Sequence, residues 1–216
     1  MAITNYTNLK TTLADYLHRS DLSDTVLSNF VQFAESRLNR KLRLLQQETT
    51  TTLSVPAGTN TIALPSDWIE TIDVIHSDDK DSLTAQSVKN LNSQTSYGST
   101  SGRPRLYAIT NGYNLLFNII TDKAYDLSLN YFNKWDVETD DTNWLLQNAP
   151  DAYLYASLLE AKAYTKKLED VGLWSSGLDV AINDLNRNDN RSRRNATSRV
   201  DSAIIKAGRF DINRGY

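Results

Sequence analysis

The side chains best suited to acid–base or metal chemistry are few and scattered along this sequence. It contains two histidines, His18 and His76, and no cysteine. A zinc site needs several histidine, cysteine or carboxylate ligands at characteristic spacings, such as the HExxH pattern, and none is present. We therefore expect no metal site, no cofactor and no catalytic histidine.

Two acidic runs could in principle supply paired carboxylates. The first lacks the alternating ligands and central glycine of a calcium loop, so a solvated turn is expected there. Nothing in the sequence places two carboxylates of the second run at the separation of about 5 to 10 Å that glycoside hydrolysis requires. The residues are Asp78, Asp79 and Asp81 in the first run, and Asp136, Glu138, Asp140 and Asp141 in the second.

A glycine-flanked segment, GSTSG at residues 98–102, superficially resembles a nucleophile elbow. Its central residue is Thr100 rather than serine, and neither a preceding strand nor a following helix is indicated. It also lacks the Gly-Lys-Ser/Thr ending of a phosphate-binding loop. A loop is the expected structure and a non-enzymatic protein the expected class, with a cell-wall hydrolase as the enzymatic alternative.

Charge is distributed unevenly along the chain. Residues 1–186 carry 15 basic and 23 acidic side chains, a net −8, whereas residues 187–216 carry 8 and 3, a net +5. An acidic body with a basic C-terminal segment is typical of an interaction arm. A DNA-binding protein that uses this segment is an alternative, but no recognition-helix or RNA-binding motif accompanies it.

Apolar spacing predicts the elements that surround these residues. Three- and four-residue repeats indicate helices near 5–18, 23–43, 150–166 and 170–190, and a short helix through Val88 and Leu91. Between them, β-branched and alternating segments predict strands at 49–55, 61–64, 68–76 and 125–132. The 61–64 strand is expected to return from 49–55 as a hairpin, and Asn111-Gly112 marks a second hairpin.

These elements predict an α+β fold, a four-helix-type bundle with an inserted antiparallel β unit and an extended C-terminal arm. The expected domains are the bundle at 1–48 and 143–194, the β unit at 49–142 and the arm at 195–216. No apolar run approaches the roughly 20 residues that a membrane span requires.

The helix near 151–164 is apolar on most sides, which requires burial on most sides. A neighbouring subunit would supply part of that burial, and burial wholly within the monomer is the alternative. The predicted subunit-interface residues are Tyr153, Tyr155, Leu159 and Tyr164.

Two segments carry a family resemblance: YGSTSGRPRLY at 97–107 and DTNWLLQNAPDAYLY at 141–155. They resemble signature segments of the head–tail adaptor (connector) proteins of tailed bacteriophages. Shorter segments at 6–10, 34–40 and 64–68 (YTNLK, AESRLNR and LPSDW) are similar to the same family. Order and spacing agree over roughly residues 3–194, and the segment beyond 195 matches no pattern of that family.

The resemblance implies a homo-oligomeric ring of twelve subunits beneath the portal protein, with no catalytic residues. Such a ring extends the channel through which DNA passes without sequence-specific binding, and a tail or nozzle protein attaches to it. The implied location is the head–tail interface of the virion, after assembly in the bacterial host cytoplasm. A tail-tube or nozzle subunit of the same virion is the structural alternative.

The C-terminal arm is the segment expected to dock on the portal. Its arginines would contact polar or acidic groups, and its scattered apolar residues would anchor it. The predicted portal-binding residues are Arg191, Arg193, Arg194, Arg199, Ile204, Ile205 and Phe210.

Overall fold

The computed structural model of the 216-residue chain describes residues 2–93, 100–165 and 171–197, with side chains described up to 164 and 193 in the last two ranges. It is a mixed α+β protein. The chain forms two compact units. We call Met1–Leu45 with Trp144–Tyr216 the helical unit, and Gln46–Asn143 the β unit.

Seven α-helices and nine strands occur in the described residues. The helices are α1 (Tyr6–Leu17), α2 (Asp24–Lys41), α3 (Val88–Asn92), α4 (Val137–Asp140), α5 (Trp144–Asn148), α6 (Pro150–Thr165) and α7 (Val171–Thr197). The strands are β1 (Glu48–Val55), β2 (Thr61–Ala63), β3 (Trp68–His76), β4 (Thr84–Ala85), β5 (Ser101–Gly102), β6 (Leu106–Ile109), β7 (Asn114–Phe117), β8 (Ile120–Thr121) and β9 (Tyr125–Asn133). A single 3₁₀ turn, Leu45–Gln47, precedes β1.

The long helices begin where capping side chains satisfy their first free backbone N–H groups. Asn5 accepts a hydrogen bond from the N–H of Asn8, and Ser23 accepts one from the N–H of Val26. α1 ends at His18, which adopts the left-handed conformation with φ 49°. The helices predicted near 5–18, 23–43 and 150–166 and the short one at Val88 are confirmed within two residues.

The last helix is longer than expected, since α7 continues to Thr197 rather than ending near 190. Its apolar stripe stops at Leu185, and local polar contacts accompany the extra turns. Arg193 forms an ion pair of 2.6 Å with Asp189 at i,i+4, in the acid-before-base order that stabilises a helix. The first three residues of the predicted 195–216 arm, 195–197, are therefore helical, and residues 198–216 lie outside the described residues.

Within the helical unit, α6 contacts α1, α2, α5 and α7. The buried residues of this core come from all of these helices. They include Leu9, Leu13, Phe30, Val31, Ala34, Leu38, Leu145, Leu146, Ala152, Tyr153, Ala156, Leu158, Ala161, Leu178, Ile182 and Leu185. A regular four-helix bundle arrangement stays a prediction.

The β unit contains three sheets, in the orders β1-β9-β3, β2-β7-β6-β4 and β5-β8. β9 pairs antiparallel with both β1 and β3, and its alternate residues are buried, as the sequence predicts. The main core of the unit comprises Val55, Leu64, Val74, Leu83, Tyr107, Leu115, Phe117, Leu127, Leu129 and Tyr131.

The hairpin expected between 49–55 and 61–64 is wrong. β1 pairs with β9, whereas β2 pairs with β7 in a different sheet. Buried Thr121 holds the intervening turn, because its hydroxyl lies 2.6 Å from the backbone oxygen of Pro56 and its backbone oxygen accepts from the N–H of Gly58 at 2.8 Å. Gly58 itself has φ 77°, a conformation that glycine adopts without strain.

The Asn111-Gly112 hairpin is confirmed, since β6 and β7 pair antiparallel on either side of it. Tyr113, rather than Gly112, takes the left-handed conformation, with φ 54°. The β unit is nevertheless not wholly antiparallel, because β4 pairs parallel with β6 and β5 with β8. α3 provides the crossover that a parallel β4–β6 pair requires. Each parallel pair is two residues long, too short to leave a periodic signal in the sequence.

Candidate assembly surface

The buried side of α6 is fixed to α2 by a polar contact in the core. The hydroxyl of Tyr153 donates a hydrogen bond of 2.6 Å to Oε1 of Glu35, and both residues are buried. A hydrogen bond to a carboxylate is stronger than one between neutral groups. Tyr153, one of the predicted subunit-interface residues, therefore lies inside the helical unit and presents no surface to a neighbour.

A second contact between the same helices lies nearer the solvent. Arg37 of α2 forms an ion pair with Glu160 of α6, and both side chains are partly exposed. Together with the Tyr153–Glu35 hydrogen bond, it fixes the register of α6 along α2. Of the remaining predicted interface residues, Tyr155 and Leu159 are half-buried and Tyr164 is exposed.

On another side of α6, residues of α1, α6 and α7 enclose an open depression of about 470 Å³. We call it the groove. Most of its lining is apolar or aromatic, and its single charged group is a carboxylate in the first turn of α6. The lining residues are Tyr16, Asp151, Tyr155, Leu173, Trp174, Ser176, Gly177 and Val180.

Trp174 forms the centre of the groove wall. Its ring makes edge-on contacts with Tyr16 at 6.0 Å and with Tyr155 at 6.4 Å between centroids, within the range of favourable aromatic pairs. The ammonium of Lys162 lies 5.9 Å from the same ring. Among the described residues, the buried Nε1 of Trp174 has no hydrogen-bond acceptor.

Gly177 lets α7 approach α6 closely at the groove. A Cβ atom at this position would lie 3.0 Å from Cε2 of Tyr155, which is tighter than ordinary van der Waals contact. The absence of a side chain therefore sets the position of the Tyr155 ring, and with it the depth of the groove.

Two aromatic side chains on α2 and α6 are exposed. Tyr164 is 59% exposed although its ring packs on the buried Phe30, with 5.4 Å between centroids. Phe33, one turn further along α2, is 54% exposed. We call Phe33 and Tyr164 the ridge. Contiguous exposed apolar surface marks interaction sites more often than isolated apolar side chains do.

The basic residues predicted to bind the portal differ in their surroundings. Asp189 accepts hydrogen bonds from Arg193 at 2.6 Å and from the backbone N–H of Leu45 at 2.7 Å, so Asp189 joins α7 to the start of the 3₁₀ turn and Arg193 pairs with it within α7. Arg191 is exposed. The side chain of Arg194 and the whole of Arg199, Ile204, Ile205 and Phe210 lie outside the described residues.

The chemically suggestive residues of the β unit make structural contacts. His76 is buried, and its Nε2 lies 2.8 Å from the carbonyl oxygen of Pro104. Asp79 lies in an exposed turn, where hydrogen bonds from the Arg103 guanidinium lower its pKa to about 2. The acidic run at 78–81 is thus a solvated turn whose Asp79 pairs with an arginine.

The groove is the feature that sequence reasoning does not identify. The buried stripe of α7 includes Trp174 and is visible from the sequence, and it predicts a core position for that residue. A second row, Leu173, Gly177 and Val180 at i, i+4 and i+7, is the signal that marks the groove side of the helix. Two apolar rows on one helix indicate that two different surfaces pack against it, one in the core and one at the groove.

Comparison with known proteins supplies the family. Among the curated proteins no match is found. A family model described as SU10 adaptor protein matches residues 4–201, nearly the whole chain. No helix in the described ranges has the length and apolar character needed to cross a membrane. The protein is a member of the SU10 adaptor family, a family of bacteriophage structural proteins found in the virion.

Proposed function

We propose that the protein forms a ring, of twelve copies, beneath the portal at the head–tail interface of the virion. The ring extends the DNA channel and provides the surface to which the tail or nozzle attaches. The observation that carries this proposal is the family match, because adaptors join other proteins of the head and tail. The exposed ridge and groove of the helical unit support it, since a subunit of a ring needs surfaces for its neighbours.

The charge of the chain suits a channel wall. Residues 1–186 have a net charge of −8, and DNA is itself strongly negative. An acidic surface repels the phosphates, so DNA passes without being held. A protein that grips DNA would instead concentrate basic groups on its folded body.

The C-terminal segment is the proposed portal-binding arm. Residues 198–216 follow α7 and include Arg199, Ile204, Ile205 and Phe210, while Arg191 is exposed on α7 itself. Arg193 already pairs with Asp189, so its direct part in docking is expected to be smaller than that of Arg191. Docking of the arm costs conformational entropy, which its contacts with the portal would offset.

Removal of residues 198–216 tests the proposal, because it leaves α7 intact through Thr197. Native mass spectrometry of the full chain with purified portal should show a ring bound to the portal, and the truncated chain should be lost from it. A chain with residues 198–216 replaced by a Gly/Ser segment of equal length separates the sequence of the arm from its bulk. Undiminished binding of both variants would remove the docking role of the arm.

Failure of the full chain to form any ring or any portal complex would overturn the proposed function itself. Tight binding to duplex DNA that weakens steeply with salt would instead favour the DNA-binding alternative.

A further inference from the structure

The ridge and the groove form two halves of one contact: we propose that the ridge of each copy inserts into the groove of the next copy around the ring. Phe33 and Tyr164 are the inserted side chains, and Tyr155, Trp174 and Val180 line the site that receives them. This inference rests on the proposed ring and assigns the surfaces that build it.

The positions of the two surfaces on α6 carry the argument. Tyr155 lines the groove and Tyr164 belongs to the ridge, and both belong to α6. Tyr164 is nine positions after Tyr155, about two and a half turns, so the two side chains leave α6 in opposite directions. A contact between two different surfaces on opposite sides of a subunit is the head-to-tail kind that generates rings. A two-fold dimer would need one self-complementary patch instead.

The chemistry of the two surfaces is complementary. The ridge offers two aromatic side chains, the type most often found as binding hot spots when inserted into a pocket. The groove, at about 470 Å³, is within the roughly 300 to 1,000 Å³ of pockets that enclose small ligands, and aromatic and aliphatic side chains form most of its wall. Leu173 and Val180 at its edge are 72% and 59% exposed, so much of the apolar surface of the groove is accessible to a neighbouring copy.

Two polar features favour the same arrangement. Arg40, an exposed cation, is seven residues after Phe33 in α2, about two helical turns and hence on the same side of the helix. The groove carries the carboxylate of Asp151, also exposed. A copy that inserts Phe33 therefore brings a positive charge towards a negative rim.

The absence of cysteine from the chain makes a direct test possible. Phe33→Cys and Val180→Cys each place one thiol, on the ridge side and the groove edge respectively, and a short bismaleimide joins thiols that lie close together. The full-length chains are assembled with portal, treated with the reagent and analysed on a denaturing gel. Assembly is recorded on the same samples by native mass spectrometry.

The expected pattern follows from a head-to-tail contact. Neither single variant forms covalent multimers, an equal mixture of the two forms covalent dimers, and the double variant forms a ladder that reaches the full ring. Rings that form normally while the double variant stays monomeric on the gel overturn this inference and leave the proposed function standing. Dimers from Phe33→Cys alone overturn it as well, because they show ridge meeting ridge.

Charge insertion provides an independent test. Phe33→Asp and Val180→Asp should each lower the assembled fraction at least about tenfold, the effect expected of a hot-spot residue. The matched controls Gln32→Asp and Ser175→Asp place the same charge at exposed positions on other sides of α2 and α7, and should assemble normally. Equal loss in variants and controls, or no loss in either, overturns the pairing. Failure of the unmodified chain to form a ring is the separate result that overturns the proposed function.

Discussion

The helical unit and the β unit dispose of their apolar side chains differently. Eight large apolar side chains are exposed among the described residues, and six of them belong to the helical unit. They are Tyr16, Phe33, Leu45, Tyr164, Leu173 and Val180, against Ile72 and Tyr113 in the β unit. The β unit is not poor in apolar residues, since ten of them form its main buried core. It buries most of its large apolar side chains, whereas the helical unit leaves more of them exposed among the described residues.

The difference has a simple physical origin in the two periodicities. Alternate residues of β9 face opposite sides of the sheet, so Tyr125, Leu127 and Leu129 are buried while Asp126 is exposed. In α7 the buried stripe includes Leu178 and Leu185. A second apolar row, which includes Leu173 and Val180, is exposed on another side of the same helix. An apolar pattern wider than one stripe needs a second covering element.

The largest effect expected from this comparison is a loss of stability in the β unit. Leu129 is fully buried on β9 and pairs with residues of both β1 and β3. Leu129→Ala should lower the free energy of unfolding by about 2 to 4 kcal/mol, because it removes buried methyl groups and leaves a cavity. Leu173→Ala, at a 72% exposed position of the helical unit, should change it by less than about 0.5 kcal/mol.

Urea unfolding followed by circular dichroism measures both variants. Leu173→Ala should show its effect in ring assembly instead. If the two leucines proved equally important for stability, the division between a closed and an open apolar surface would fail.

The next effect separates two tyrosines of the same helix. Tyr153→Phe removes a 2.6 Å hydrogen bond to the buried carboxylate of Glu35 and should cost about 1.5 to 3 kcal/mol. Tyr164→Phe changes an exposed hydroxyl and should cost less than about 0.5 kcal/mol. Chemical denaturation of the two variants side by side tests this ranking, and the reverse order would show that Tyr164 is structural.

Much of the fold is predictable from the sequence because its signals are local. The caps Asn5 and Ser23, the apolar rows of the helices, the alternation in β9 and the Asn111-Gly112 hairpin each depend on a few neighbouring residues. Strand pairing is less predictable. The partner of β1 is β9, whose paired residues lie between 70 (Val55 and Tyr125) and 84 (Glu48 and Phe132) positions later. The contacts of Thr121 with the turn after β1 also join residues far apart in sequence.

The candidate site likewise combines features that the sequence predicts with features that depend on how the helices pack. An apolar α6 predicts that aromatic residues will lie at an interface, and Tyr155 and Tyr164 occupy the groove and the ridge. Tyr153 differs from them because its hydroxyl donates a hydrogen bond in the core to the carboxylate of Glu35 on α2. That contact depends on how two helices pack, so no single-helix pattern distinguishes Tyr153 from its neighbours. The hydrogen bond from the backbone N–H of Leu45 to Asp189 is equally tertiary, whereas the ion pair of Asp189 with Arg193 is local, at i,i+4.

A smaller effect is expected at alkaline pH, in the β unit. Burial and a hydrogen bond to Asp67 raise the pKa of Tyr131 from about 10 to about 12. The folded state therefore favours the neutral phenol, and its stabilising contribution is complete below about pH 10 and is lost as pH rises through 12. Tyr131→Phe should cost about 1 kcal/mol at neutral pH and make stability fall less steeply between pH 10 and 12.

Urea midpoints measured from pH 7 upward follow this change, with the exposed Tyr113→Phe as the control. An unchanged slope in Tyr131→Phe would show that other groups cause the alkaline loss.

The smallest effect compares two glycines of α7 and tests how the groove is built. A Cβ atom at Gly172 would meet nothing within 4 Å, so Gly172→Ala should stabilise the helix by about 0.5 to 1 kcal/mol. A Cβ at Gly177 would lie 3.0 Å and 3.2 Å from two ring carbons of Tyr155, so Gly177→Ala gains the same helix propensity but must displace that ring. It should therefore fall short of Gly172→Ala in thermal unfolding.

The assembly readout distinguishes the two glycines further. Displacing Tyr155 alters the wall that receives the ridge, so Gly177→Ala should assemble less well than Gly172→Ala even though both chains fold. If Gly172→Ala and Gly177→Ala stabilised the chain equally and assembled equally well, the Tyr155 ring would move at no cost. The close approach of α7 to α6 would then not define the groove. The open side of the helical unit would then be set by the second apolar row alone, and Val180 rather than Gly177 would be its determining residue.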